Sequence, residues 1–412
     1  MKKSEQAASV PQSGTEASQR KKILGLEKNV FVLGLTSLLN DFSSEMILSI
    51  FPAFFASVLK AGAASLGLVE GLADAASNFI KIYSGRLSDK IQKRKIFVVL
   101  GYSLSTLTRP FYILVGTVAG ALGLRLADRV GKGLRDAPRD AIVSLSTSKD
   151  ETGKSFGYQR AMDTIGAILG PLVAFFILSR FPEGFNLVFL VAFFLGLLAV
   201  GSLFWIKDIT LAFKTSESGF KPARFSRRFK SYLFSAFTLS MGSLPLAVML
   251  LKTRDAGLAL ATIPLFYSIS NIAFAGTSIL AGRIADKFGH RKMIIIGYFF
   301  LIMTYIVLAA VSTSPAVLVL AFVLYGIFQG ATDGIHRSYA AKLTESLSRG
   351  RAYGFLNGLN GFGFLIAGVA GGLIWEKISP NVALLFGGIL IVIGLISFVL
   401  TQIVFKQRFS RV

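Results

Sequence analysis

The chain contains no cysteine and only two histidines, His290 and His336. The first absence excludes disulfides, a thiolate nucleophile and thiolate metal ligation. The second leaves too few imidazoles for a histidine-rich metal centre. No Gly-x-x-x-x-Gly-Lys-Ser/Thr phosphate loop occurs either, which argues against ATP as an energy source. Without a nucleophile, a metal cluster or a nucleotide loop, the chain is not expected to be an enzyme or to need a cofactor. Acidic residues are scarce, 22 Asp and Glu against 44 Lys and Arg, for a net charge of +22. Residues 1–22 lack the apolar core and cleavage site of a signal peptide. They read instead as part of a polar, disordered cytoplasmic tail over residues 1–28.

What is abundant is apolar: 53% of the 412 residues are hydrophobic, with 37 Phe among them. A soluble fold of this size lacks the polar residues to cover that much apolar surface. Successive runs reach about 20 residues, enough for a helix to cross a hydrocarbon core of about 30 Å. They predict an all-α integral membrane protein of about twelve spans. Six lie within 29–206, at roughly 29–58, 64–85, 96–116, 119–145, 156–180 and 184–206. Six lie within 230–406, at roughly 230–253, 258–282, 293–312, 315–342, 352–375 and 382–405. A basic linker at 207–229 joins the two sets, and a short tail at 407–412 ends the chain.

So basic a chain could bind nucleic acid, but its positive residues sit in alternate connections. Lys2, Lys3, Arg20, Lys21 and Lys22 precede the first run, and Arg86, Lys90, Lys93, Arg94 and Lys95 follow the second. Lys207, Lys214, Lys221, Arg224, Arg227, Arg228 and Lys230 fill the linker. Arg283, Lys287, Arg291 and Lys292 occupy the corresponding connection of the second half, and Lys406, Arg408 and Arg411 end the chain. The positive-inside rule then puts both termini and the linker in the cytoplasm. The charge is an orientation signal and, secondarily, a contact for anionic lipids; no nucleic-acid partner is expected.

One string appears twice. Gly85-Arg86-Leu87-Ser88-Asp89-Lys90 recurs 197 residues later (282 against 85) as Gly282-Arg283-Ile284-Ala285-Asp286-Lys287. At the same offset Gly133 meets Gly330, Asp136 meets Asp333, Gly153 meets Gly350, Gly157 meets Gly354 and Gly166 meets Gly363. The matches are glycines and charges, not interchangeable apolar residues. They indicate duplication of a unit with an even number of spans, the plan of many secondary transporters.

Two six-span halves joined by a basic linker, with this repeated string, resemble the major facilitator superfamily over nearly the whole chain. The resemblance implies two pseudo-symmetric six-helix bundles, alternating access and a monomer. The family's connection between spans two and three reads G-x-x-x-D-[RK]-x-G-[RK]-[RK]. Gln92 departs from it in the first copy, and His290 in the second. The resemblance assigns a charge relay to Asp89 and Asp286 with Arg86, Arg94, Arg283 and Arg291, in turns framed by Gly85 and Gly282. Arg129-Val130-Gly131-Lys132-Gly133 is similar to an element whose Arg is tied to proton coupling. Gly166-Ala167-Ile168-Leu169-Gly170-Pro171 is similar to an exporter element. Asn40-Asp41-Phe42-Ser43-Ser44-Glu45-Met46 and residues 131–140 look like a poorly characterised bacterial permease subgroup.

Ionisable residues at bilayer depth demand a pair, a cavity or a function. Asp41 and Glu45 are four apart in the first span and share a face. Glu70, Asp74 and Lys81 share one in the second. Arg125, Asp128, Arg129, Lys132, Asp136 and Arg139 form a stripe in the fourth, and Arg160 stands three residues before Asp163 in the fifth. The second half is poorer, with Asp333, His336 and Arg337 in the tenth span and Asn360 where the repeat has Asp163. One reading makes these internal ion pairs, for instance Arg160 with Asp163. The other makes them a central cavity, which the family builds from spans one, four, seven and ten. On that reading Asp41, then Glu45, carries a proton, with Asp74 and Arg129 also in the coupling set. Arg160, Asp163, Asp333, Arg337, Asn357 and Asn360 are then the candidate substrate contacts.

The function this predicts is proton-coupled efflux of a small organic solute by antiport across the bacterial inner membrane, with Na+ as the alternative coupling ion. Uptake of an organic anion, movement of a lipid or glycolipid between leaflets, and a sensor or scaffold of transporter ancestry are the rivals.

Overall fold

The computed structural model describes residues 22–91, 93–148, 151–208, 225–310, 314–344 and 349–409. The expected tail over 1–21, most of the linker (209–224), Gln92 and the last three residues lie outside the described residues. The helices are α1 (Lys28–Ser57), α2 (Ala63–Ile91), α3 (Arg94–Phe111), α4 (Val118–Ser146), α5 (Thr152–Arg180), α6 (Phe185–Ser202), α7 (Arg227–Gly242), α8 (Leu246–Leu250), α9 (Lys252–Asp255), α10 (Ile263–Phe288), α11 (His290–Ala310), α12 (Pro315–Lys342), α13 (Arg349–Lys377) and α14 (Pro380–Phe409). Local chemistry sets several starts. Thr117 caps α4 by accepting from Gly120 N, Ser226 caps α7 by accepting from Phe229 N, and Pro264 and Pro315 open α10 and α12.

Counting α7 and α8 as one rod gives twelve long rods. Ten are long and apolar enough to cross a membrane by length and composition. The other two, α2 and α4, are as long (29 residues each) and carry the charged stripes instead.

The rods alternate in direction. Asn29, at the start of α1, donates to Ser146 Oγ at the end of α4 (3.2 Å) and to the Lys207 carbonyl after α6 (2.9 Å). Lys95, at the start of α3, donates to the Ile206 carbonyl (2.6 Å). These contacts define one end of the bundle, the basic face. At the opposite face Glu376, ending α13, accepts from Ala64 N at the start of α2 (3.0 Å).

A hairpin precedes α1. Strands β1 (Lys22–Ile23) and β2 (Leu26–Glu27) pair antiparallel through a turn in which Leu24 and Gly25 both have positive φ. Lys22 bridges Glu151 (3.0 Å), and Lys154 donates to the Gly25 carbonyl (2.9 Å). Residues 22–27, expected to belong to a structureless tail, are therefore strapped to the start of α5.

Two further expectations are corrected. The repeated string is not a loop. Helix α2 runs on to Ile91 and α10 to Phe288, and Gly289, at φ 101°, makes the whole turn into α11. Charged residues at a helix end are solvated once they clear the hydrocarbon, so nothing obliges the helix to stop at its edge. Span seven, expected to be continuous over 230–253, breaks at residues 243–245. Pro245 has no N–H to give and pushes the residue before it out of the helical region. Tyr305 repairs both loose ends: its hydroxyl accepts from Leu244 N and donates to the Gly242 carbonyl, each at 2.8 Å.

Within the first half α1 packs on α5 through Gly166 and Gly170. A Cβ on Gly166 would sit 2.6 Å from the Leu38 carbonyl oxygen, and one on Gly170 2.5 Å from that of Phe42. The exporter-like string is thus a close helix crossing of the small-residue kind. Between the halves α2 runs along α13, α5 meets α10, α8 lies on α1 and α2, and the turn Leu260–Thr262 lies on α1 and α5. The last two contacts close the opposite face.

Candidate functional site

Helices α2 and α4 run in the same direction, and their charges meet in register. Glu70 takes a bidentate bond from Arg125 (2.9 and 2.7 Å), Asp74 faces Arg129 Nε at 3.5 Å, and Lys81 bridges Asp136 at 2.9 Å. In each rung the partner lies 55 residues further along the chain. Asp128 adds a second carboxylate to Arg125 at 3.2 Å. The internal-pair reading therefore describes Glu70, Arg125 and Asp128 well. Asp74 differs, because 49% of its side chain is exposed.

The α1 pair lies elsewhere. Asp41 accepts from Asn40 Nδ2 (3.1 Å), with Lys132, Arg135 and Arg139 of α4 and Asp163 of α5 as its charged neighbours. Glu45 points toward the second half, where Tyr267 of α10 faces it. Its Oε2 atom is buried and has no hydrogen-bond partner.

Arg160 does not pair with Asp163. It reaches Asp333 of α12 in the other half at 3.2 Å and lies over the Phe274 ring at 4.9 Å, while Asp163 faces Arg139 at 3.9 Å. The reason is direction: Arg160 projects across the gap between halves, and Asp163, one turn deeper, faces α4. Arg337 is exposed and Asn357 half-buried, and neither makes a polar contact among the described residues. Asn360 accepts from Ser240 Oγ (3.1 Å), tying α13 to α7.

Of the relay residues, Arg94 bonds Asp89 at 2.8 Å. In the second copy His290, not Arg291, takes that place. It lies 3.7 Å from Asp286, bonds Ser338 Oγ through Nε2 (2.7 Å) and meets Lys342 through Nδ1 (3.0 Å). The one-residue turn at Gly289 brings His290 round in place of the next residue.

Between the halves lies a cavity of about 210 Å³. The first half contributes Leu48, Glu70, Gly71, Asp74 and Arg129; the second contributes residues 244–247, Tyr267, Tyr325, Gln329 and Phe364. Tyr267, Tyr325, Gln329 and the broken helix end were missed from the sequence. The 197-residue offset could have found three of them, since it carries Glu70 to Tyr267, Asp128 to Tyr325 and Lys132 to Gln329. Arg109 was also missed. It is fully buried in the first half, where it donates to Asn40 Oδ1 (2.9 Å) and the Ala192 carbonyl (3.3 Å).

The sequence profile of the Major Facilitator Superfamily matches residues 33–311 and, again, 231–409. The chain belongs to this superfamily. It is 36% identical over 382 residues to an uncharacterised MFS-type transporter of Methanocaldococcus jannaschii, covering 90% of this chain and 94% of that one. It is 24% identical over 370 residues to the multi-drug resistance efflux pump PmrA of Streptococcus pneumoniae, covering 85% and 89%. A mutant form of the nucleoside transporter NupG superposes with a TM-score of 0.77 at 17% identity, over 90% of this chain and 99% of that one. The fold is therefore that of this superfamily, and the protein is a multi-pass membrane transporter rather than an enzyme.

Arg160 and Asp333 are each about half exposed, at 52% and 53%, and theirs is the one ion pair between the halves among the described residues. An exposed pair contributes only about 0–1 kcal/mol, so Asp333→Asn should leave stability nearly unchanged. It should instead widen the separation of α5 and α12. Because the chain has no cysteine, spin labels at Gly157→Cys and Gly334→Cys, positions where a Cβ meets open space, report that distance without background. An unchanged distance distribution would show that the pair does not hold the halves together.

Proposed function

We propose that the protein exports a small organic solute in exchange for protons across the bacterial cytoplasmic membrane, with the basic face and both termini in the cytoplasm. The observation that carries this reading is Glu45. Its neighbours Glu70 and Asp128 are matched by guanidinium groups, yet Glu45 Oε2 is buried without a partner at the junction of α1 with the second half. An ionised carboxylate with a buried, unpartnered oxygen is costly there, and a neutral one less so. Protonation of Glu45, with Asp41 one turn away, then favours closure of the halves around it. Opening returns it to water for release. Glu45 ranks ahead of Asp41 because, although both have cationic neighbours and a polar partner, only Glu45 keeps a buried oxygen without one.

Sidedness follows from the basic residues on the face that carries the termini. With the opposite face closed by α8 and the turn at 260–262, this conformation presents its cavity to the cytoplasm. The likeness to an efflux pump favours export. Anion uptake is less favoured, since Arg125 and Arg129 of the basic stripe are faced by Glu70 and Asp74. A lipid surface, anionic at its cytoplasmic leaflet, surrounds a protein acting as a monomer.

Acidified inverted membrane vesicles test this reading. A lumenal pH probe should report proton release when a transported solute is added. Glu45→Gln should reduce that release by at least about tenfold, since one ionisable group is being asked to carry the coupling. Asp41→Asn should weaken it less. Undiminished release in Glu45→Gln at equal expression would remove Glu45 from the mechanism.

A further inference from the structure

The cavity has two unlike walls, and the duplication explains why. Positions that are Glu70 and Asp128 in the first half are Tyr267 and Tyr325 in the second. Charge therefore lies on the first-half wall alone. Opposite it stand the rings of Tyr267, Tyr325 and Phe364, with the Tyr325 hydroxyl accepting from Gln329 Nε2 (3.3 Å).

The charged wall contains one closed rung and one open rung. Glu70 and Arg125 share two bonds at 2.7 and 2.9 Å and offer a solute little. Asp74 and Arg129 approach only to 3.5 Å, beyond a good N–H···O bond. Among the described residues neither makes a hydrogen bond. Arg129 is nine-tenths buried, and its Nε lacks a hydrogen-bond partner. A buried guanidinium N–H without an acceptor carries a desolvation penalty that a ligand can relieve.

We propose that this cavity binds a zwitterion of amino-acid size: an ammonium and a carboxylate a few bonds apart on an apolar or aromatic body. The inference rests on the reading of this chain as a solute transporter. The ammonium sits on Asp74, and the carboxylate receives the free N–H groups of Arg129. A monocation would satisfy Asp74 but draw it from Arg129, leaving that guanidinium without a hydrogen-bonding acceptor, since its other carboxylate neighbour, Asp128, is already bonded to Arg125. A monoanion would do the converse to Asp74. The open rung has no net charge, and a zwitterion leaves it so. The aromatic wall takes the body. A volume of about 210 Å³ lies below the usual range for drug-sized ligands, which favours a small solute.

The test uses the purified full-length protein in detergent, with Tm shift and calorimetric titration as readouts. Two matched series serve as probes: L-phenylalanine, phenethylamine and 3-phenylpropionate; and L-leucine, 3-methylbutylamine and 4-methylpentanoate. In at least one series the amino acid should bind at least about tenfold more tightly than either single-charge analogue, a margin of about 1.4 kcal/mol. The proposal is overturned if in both series an amine or acid binds as well as its amino acid, or if neither amino acid binds at millimolar concentration. Asp74→Asn should abolish the amino-acid response. If that variant does not fold, Asp74→Asn with Arg129→Gln removes both charges together. Amino-acid binding retained in the double variant overturns the proposal. Binding is read here without any gradient, so it is separable from coupling. Proton release driven by a monocation would keep the export reading and remove this one. Zwitterion binding without proton release would do the reverse.

Discussion

Arg125→Leu is expected to destabilise the protein by about 3–5 kcal/mol, the range for breaking a buried ion pair by removing one partner. Arg125 is 3% exposed, and it holds Glu70 bidentately and Asp128 at 3.2 Å while its guanidinium lies 5.6 Å over the Phe51 ring. Leucine fills part of the volume but leaves two carboxylates buried beside it. Glu70→Gln combined with Arg125→Met should recover much of the loss, because it removes charges of both signs. Unfolding in graded denaturant, followed by tryptophan fluorescence, measures both. A double variant no better than Arg125→Leu would show that the cost lies in packing and not in the orphaned charge.

Gly67→Ala is expected to destabilise by about 1–3 kcal/mol, the usual cost of forcing a methyl into a filled space. A Cβ on Gly67 would overlap the Gly368 carbonyl oxygen, and one on Gly368 would overlap that of Gly67. Backbone cannot rotate aside as a side chain can, so α2 and α13 must separate. Gly358→Ala is the internal control. It lies in the same α13, where a Cβ meets nothing within 4 Å, and there the ordinary gain of about 0.5–1 kcal/mol over helical glycine should appear. Opposite signs at the two sites are the expected result. Because the crossing lies toward the closed face, Gly67→Ala should also lengthen the distance between spin labels at Lys60→Cys and Ile378→Cys. Stabilisation at Gly67 would mean that the helices are not held at this separation.

The architecture was legible because bilayer crossing makes one dimension of the structure a property of composition. Runs of about 20 apolar residues, alternating positive connections and a 197-residue repeat were enough to anticipate twelve rods in two related sets. Charge spacing alone also put Glu70, Asp74 and Lys81 on one helix face. Helix ends were less legible. The polar string after span two looked like a loop, although charged residues continue a helix once water is available. Pro245, with Gly242 and Ser243 just before it, carried a break signal that the apolar run masked.

Which charges are spent and which are free was not written in the chain order. Arg160 stands three residues from Asp163 yet bonds Asp333, 173 positions away. Glu45 and Glu70 are both acids within long rods of the first half, yet one has an unpartnered oxygen and the other a bidentate arginine. The sequence alone determined the family, the rods, the repeat and the presence of charge at membrane depth, because each follows from composition or from spacing along one helix. Only the tertiary structure decided the α2–α4 rungs, the open pair of Asp74 and Arg129 and the aromatic wall facing it. Those depend on how separate helices are rotated and staggered against one another, and close packing of the whole bundle sets that arrangement.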